Sequence, residues 1–412
     1  MPILSDQELQ KLTASFQGGN YSKERALDLL AATAISVVTE PGDRMAGALV
    51  QALGRQRLLQ HFIDGFEVAN VLEAVRQQGA SDYFVEIFGD LPGTISDSRQ
   101  RWLVRFSKQA VVNALQRAQQ LDLFLLLQGD DYWPKGLDDL GEGSPTIIFT
   151  QGNYKVLGRL GQGVSIVGSR ACTEYGAKVT GKLVSELAFC KRPTVSGGAN
   201  GIDSHVHNQS LRNSLPTVAV MAGGLDRKYP SSNANLFQTI ARTGVLISEL
   251  SPGVAPTRWR FLQRNRLIAA LTPTTVVIEA GIRSGSIRTA NNAIELNREL
   301  FAVPGPLTSP ASAGTNSLIA DCKAKALIDT KLMTSGTSEP IRFQDGSALL
   351  VRAQDALKEL KKATGVQIAK VAGLTSFELG LAIDELKGRN QLEVVQDSSG
   401  LLHYALKYAN RT

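Results

Sequence analysis

From Val164 onward the chain repeats a pattern that few folds accommodate: a short apolar run, a turn rich in small residues, then an amphipathic helix. The runs are Val164–Val167, Thr194–Val195, Thr217–Met221, Val245–Ile247, Thr275–Ile278 and Leu300–Val303. None alternates apolar with polar residues, so each is expected to be buried on both faces, as the strands of a parallel sheet are. Between them the spacing predicts helices near 175–189, 202–213, 232–242, 261–271, 286–297 and 315–320. Strand and helix in regular succession give a doubly wound α/β fold. Such a sheet binds its ligand outside the carboxyl ends of the strands.

The flanks read differently. Ser5-Asp6-Gln7-Glu8 forms a capping box for a helix through Phe16, and Ser22–Val38 and Arg99–Gln119 carry apolar residues at helical spacing. Residues 1–125 are expected to form a helical domain, and 126–335 the α/β domain, which Thr146–Thr150 enters as a short strand. Lys331–Ser347, with Ser, Gly, Thr and Pro prominent, reads as a linker. Helices over 348–361, 366–372 and 376–387, then strands 392–395 and 401–405 joined by the turn Asp397-Ser398-Ser399-Gly400, suggest a winged helix over 347–412.

At 412 residues the chain is long enough for two or three such cores. No apolar run approaches the ~18 residues a membrane span requires, Leu123–Leu127 being only five long, and the start MPILSDQELQ lacks the regions of a signal peptide. A cytoplasmic location is therefore expected, with no membrane association. Cys172, Cys190 and Cys322 are widely spaced and free of any CxxC pattern, consistent with reduced thiols.

The net charge of +6 is unevenly placed. Between Pro256 and Ala290 there are six arginines and one acid, Glu279, so this segment accounts for most of the excess. Arginines clustered among strand-end loops point to phosphate. Four elements fall there. Gly168-Ser169-Arg170 ends the first core strand, and Ser196-Gly197-Gly198-Ala199-Asn200-Gly201 ends the second. Arg258-Trp259-Arg260-Phe261, with Arg264-Asn265-Arg266, enters a helix. Arg283-Ser284-Gly285-Ser286 follows a later strand. Glycines expose amides to an oxyanion, while three or four arginines at a helix amino end are unfavourable unless an anion is present. Cations interleaved with aromatics are what single-stranded nucleic acid uses, charge for the backbone and rings for the bases.

Other chemistries are poorly served. Asp203, His205 and His207 have no fourth ligand placed by spacing, so no metal is expected. Gly161-Gln162-Gly163 precedes its strand, where a dinucleotide fingerprint follows one, and there is no GxxxxGK[ST] phosphate loop. No cofactor is expected.

The motifs VGSR, SGGANGIDSHVH, Tyr229-Pro230, ISE, FLQRNRLIAAL, EAGIRSGSIRTA, VPGP and GTNSLI stand in the order found in the DNA-processing protein A (DprA/Smf) family, which the chain resembles over about residues 130–330. The resemblance implies a Rossmann-like core that binds single-stranded DNA, passes it to the recombinase RecA in natural transformation, acts as a homodimer and catalyses nothing. It further implies that Gly168, Ser169, Arg170, the 196–201 loop, Arg258, Phe261 and Arg264-Asn265-Arg266 line the DNA groove. The chain departs from the family at Asn200, where Arg is common, at Leu262-Gln263, in place of a Pro-led pair, and at Cys322-Lys323. The candidate recognition helix Thr375–Gly388 carries Glu378, Asp384 and Glu385 against Lys387 and repels phosphate, which favours protein contact or packing. A nucleotide sensor or phosphoribohydrolase-like enzyme using Glu279 or Glu249 is the alternative; six arginines suit a polyanion better than a mononucleotide.

Overall fold

The computed structural model describes residues 3–13, 21–334, 345–388, 390–397 and 401–407. The end of the expected first helix (14–16), the body of the expected linker (335–344) and the turn residues 398–400 lie outside these. The chain divides after Thr334 into two compact units.

The first unit opens with helices α1 (Asp6–Thr13), α2 (Lys23–Val38), α3 (Arg44–Leu53), α4 (Arg55–Ile63), α5 (Val68–Gln77), α6 (Ser81–Phe88), α7 (Leu91–Leu103) and α8 (Lys108–Gln120). Ser22 caps α2 by accepting from the Arg25 amide. The single helix expected over 99–119 is in fact two. The amides of Arg105 and Phe106 both turn back to the Trp102 carbonyl, ending α7, and the Ser107 hydroxyl accepts from the Ala110 amide, starting α8. Ser is a good N-cap because its oxygen satisfies an amide with no partner in the helix. The break leaves Arg105 exposed in the turn.

The α/β part follows as β1 (Phe124–Leu126), β2 (Ile148–Gly152), β3 (Val164–Val167), α9 (Glu174–Phe189), β4 (Thr194–Ser196), α10 (Ile202–Arg212), β5 (Thr217–Val220), α11 (Ala234–Thr243), β6 (Val245–Ser248), α12 (Arg258–Ala270), β7 (Thr274–Val277), α13 (Gly285–Glu295), β8 (Glu299–Ala302), α14 (Ala313–Ala320) and β9 (Lys325–Ala326). Nine strands form one sheet in the order β1-β2-β6-β5-β4-β3-β7-β8-β9. β6 through β9 in that order are parallel, while β1 pairs with β2, and β2 with β6, antiparallel. The chain steps outward from β3 to β6, then returns to place β7 on the other side of β3. The strand order reverses there, and the carboxyl ends of β3 and β7 flank a crevice.

Burial explains the uninterrupted apolar runs. In β5, Val218 and Val220 join a cluster with Leu267 of α12 and Ala290 of α13. Ala219 and Met221 join the cluster on the opposite face, with Phe237 of α11, Leu30 of α2 and Leu115 of α8. The first helices therefore pack directly on the sheet.

The second unit contains α15 (Asp345–Leu360), β10 (Ala363–Thr364), α16 (Gly365–Ala372), α17 (Ser376–Gly388), β11 (Leu392–Gln396) and β12 (Leu402–Leu406). Its antiparallel sheet has the order β10-β12-β11 and packs, through Leu392, on a core of Leu357, Ile368, Leu379 and Leu386. β10 has too few residues to leave a pattern in the sequence. Among the described residues no single helix is long and apolar enough to cross a membrane.

Candidate functional site

A cleft of about 790 Å3 opens at the strand-order reversal. Twelve residues of the four elements singled out from the sequence line it: Gly168, Ser169 and Arg170 after β3, Ala199 after β4, Arg258, Phe261, Arg264 and Asn265 on α12, and Arg283, Ser284, Gly285 and Ser286 where α13 begins. Their polar groups also tie the loops together. Ser286 donates to the Gly168 carbonyl at 2.8 Å, and the Asn265 amide donates to the Gly285 carbonyl at 3.2 Å. Arg170, Arg258 and Arg283 are exposed at the rim.

Arg264 is different in kind. It is 6 % exposed and lies under the cleft, where its Nη1 donates to the carbonyls of Gly197 (2.5 Å) and Val220 (2.7 Å). Burial pushes its pKa down to about 10, against the pull of Asp203, so it stays a cation at neutral pH. The guanidinium carbons of Arg170 and Arg264 lie 5.7 and 5.6 Å from the centroid of the Phe261 ring. Tyr229 stands 5.5 Å from the same ring, tilted by 58° and half exposed. Two aromatics among fixed cations make a platform for flat, electron-rich groups with phosphates attached.

Ser196, Gly197, Gly198, Asn200 and Gly201 do not line the cleft. The amide of Ala199 donates to Asp203 Oδ2 at 3.3 Å, so a carboxylate of the following helix takes the donor an external anion would need. The Ser196 hydroxyl is spent on the Ile166 carbonyl, and Asn200 accepts from Ser232. The glycines answer to packing. A Cβ on Gly197 would lie 2.2 Å from Arg264 Nη1, and Gly201, at φ +82°, rests on the carbonyls of Ser169 and Arg170. Arg266 also points elsewhere, into an ion pair with buried Glu249. Burial raises the Glu249 pKa and the Arg266 charge opposes that rise.

The remaining acids of the region are similarly engaged. Glu279 is 2 % exposed and accepts from the amide and hydroxyl of Thr173 at the start of α9. Asp203, which lines the cleft, has its pKa raised by burial and restrained by Arg264. His207 is buried with Nδ1 2.8 Å from the Thr217 hydroxyl, and burial together with the Arg264 charge lowers its pKa to about 3. Tyr229 and Asp203 are among the lining residues not assigned to the site from the sequence. Tyr229 carried only its Tyr-Pro motif as a signal, and Asp203 was read with His205 and His207.

The model of the DNA recombination-mediator protein A family matches residues 124–337, just over half of the chain. The chain belongs to the DprA/Smf family. A DprA from Mycobacterium tuberculosis is 46 % identical over 176 residues, which are 43 % of this chain and 45 % of that protein. The DprA of Streptococcus pneumoniae is 37 % identical over 215 residues, 52 % of this chain and 72 % of that one. The X-ray structure of the pneumococcal DprA superposes with a TM-score of 0.56 at 26 % identity, covering 74 % of this chain and 95 % of that chain. The match thus spans just under half of the mycobacterial relative. The DprA/Smf match begins at β1 and holds every cleft residue named above, whereas α1 to α8 and nearly all of the second unit fall outside it.

Proposed function

We propose that this protein binds single-stranded DNA in the cleft between β3 and β7 and delivers it to a recombinase of the RecA class during natural transformation. The observation that carries the reading is the Phe261 ring with the guanidiniums of Arg170 and Arg264 near it, beside Tyr229, in a cleft rimmed by exposed arginines. Unpaired bases expose faces that aromatics can stack on, whereas duplex bases do not, and the rim cations neutralise phosphates without reading sequence. Family membership supports a role in DNA processing. A cytoplasmic homodimer that holds incoming DNA accords with this reading.

The same geometry supports a binding protein over an enzyme. A general base must reach its substrate; Glu279 and Glu249 do not line the cleft, and Asp203, which does, accepts from the Ala199 amide. In the second unit, three helices packed with a small antiparallel sheet whose first strand, β10, falls between α15 and α16 support the winged-helix reading, and the acids of α17 favour a partner protein over DNA.

Fluorescence anisotropy with a labelled oligothymidylate, competed by duplex and by mononucleotide, tests the proposal. Tight binding displaced by single strands alone is expected. Displacement by a mononucleotide at comparable concentration would instead favour the nucleotide-sensor reading, which the volume of the cleft would also admit.

A further inference from the structure

The run Arg258-Trp259-Arg260-Phe261 is split by the helix it starts. Successive residues of a helix point about 100° apart, so i and i+3 share a face while the two between do not. Arg258 and Phe261 accordingly line the cleft, and Trp259 and Arg260 do not. Arg260 reaches the other way, donating to the Ala255 carbonyl at 2.7 Å and to both oxygens of Glu40, at 3.0 and 2.8 Å. Glu40 follows α2, in the part of the unit that precedes the sheet.

There Arg260 has company. Arg105, exposed in the turn between α7 and α8, contacts the same Glu40 oxygen at 2.6 Å. Two guanidiniums on one carboxylate leave a positive charge uncompensated, and Arg105 is the more exposed of the two. Arg117 of α8 lies against Gly253, in the loop that leads into α12. This loop thus lines the cleft at Pro256 and Thr257 and meets a cation of the first helices at Gly253. Trp259, in the first turn of α12, has 53 % of its surface exposed, unlike Trp102 and Trp133, which are buried.

We propose that single-stranded DNA leaving the cleft at Arg258 stacks a base on Trp259 and lays its next phosphates on Arg105, so that the footprint continues from the sheet onto the α7–α8 turn. The inference rests on the cleft reading and extends it to a second subsite. An exposed indole next to the cleft arginine Arg258, on the helix whose Arg260 shares Glu40 with Arg105, offers a ring and a further cation of the kind that single strands use, and its continuity with Arg258 selects the same ligand over a separate one.

The test compares a short oligothymidylate of about 6 nucleotides with one of about 20, the first within and the second beyond the roughly 4–16 nucleotides that a single OB-fold site holds. Trp259→Ala and Arg105→Gln are expected to weaken binding of the long oligonucleotide by roughly five- to tenfold and to leave that of the short one unchanged, while Arg170→Ala weakens both. Because the other two tryptophans are buried, acrylamide quenching reports on Trp259 in the unaltered protein. The long oligonucleotide should protect it and the short one should not. Equal losses for both lengths in the Trp259 and Arg105 variants, or quenching that the long oligonucleotide leaves unchanged, would overturn the second subsite and leave this surface to a protein partner. Failure of Arg170→Ala to weaken either oligonucleotide would overturn the cleft reading separately.

Discussion

The guanidinium of Arg264 lies 5.6 Å from the centre of the Phe261 ring, and it is held there by the carbonyls of Gly197 and Val220. The aromatic wall of the cleft therefore rests on a cation anchored to the ends of two strands. The ring is positioned before any ligand arrives, which spares the cost of ordering it on binding.

Phe261→Ala is expected to lower affinity for single-stranded DNA by about 1–3 kcal/mol, the worth of one stacked base, which is roughly 5- to 150-fold. Phe261→Tyr should retain most of the affinity. Anisotropy titrations at fixed salt check both. An Ala variant that binds as the parent does would show that no base stacks on this ring.

Arg170→Ala and Arg258→Glu should weaken binding without lowering the melting temperature, since both side chains are exposed on the rim. The plot of log affinity against log salt should become shallower by about 0.7 for each phosphate that is no longer neutralised. An unchanged slope with unchanged affinity would show that these arginines do not meet the backbone.

Arg264→Met should behave in the opposite way and unfold the protein more easily. It takes the donor from the Gly197 and Val220 carbonyls and the nearby charge from the buried Asp203, and a buried polar group left without a partner costs about 1–3 kcal/mol. Adding Asp203→Asn should recover part of the loss, because the two residues share one network. Urea denaturation of the single and double variants measures the coupling.

His207 makes folding sensitive to acid. Its folded pKa, about 3, lies below the unfolded value of 6.5, so the unfolded chain takes up the proton first. The contribution to stability is complete above pH 6.5 and is lost as the pH falls from there toward 3, at about 1.4 kcal/mol per pH unit. His207→Gln should flatten the stability profile between pH 6 and 4 relative to the parent; parallel profiles would mean that another group governs acid unfolding.

Removal of residues 345–412 should change affinity for single strands far less than any cleft substitution does, since every cleft residue lies before Thr334. Loss of most of the affinity on truncation would return the acidic α17 to the binding surface.

Much of the core was legible because its strands are apolar on both faces, and the loops that close the site were legible because glycine and arginine collect in them. What spacing could not convey was direction. Arg264, Arg266 and Arg258 read alike in sequence, yet one is buried under the site, one is paired with Glu249 and one is exposed on the rim. The 196–201 loop has the composition of an anion cradle, but Asp203 supplies an anion from within, and only the folded chain reveals that an internal carboxylate has taken the Ala199 amide. The two-residue strands β9 and β10 are made by tertiary pairing and leave no local pattern.

The antiparallel strands β1 and β2 have a consequence for how this chain can be dissected. β2 covers the outer side of β6, and β1 in turn covers β2, so the parallel sheet does not end in a bare strand on that flank. An unprotected edge offers its amides and carbonyls to any neighbouring chain. A cut at residue 335 severs no strand pairing, whereas one at residue 125 cuts through β1 and also strips α2 and α8 from Phe149, Ala219 and Leu246. A fragment beginning there would expose both an apolar face and a poorly covered edge, and would tend to aggregate rather than stand as an independent module.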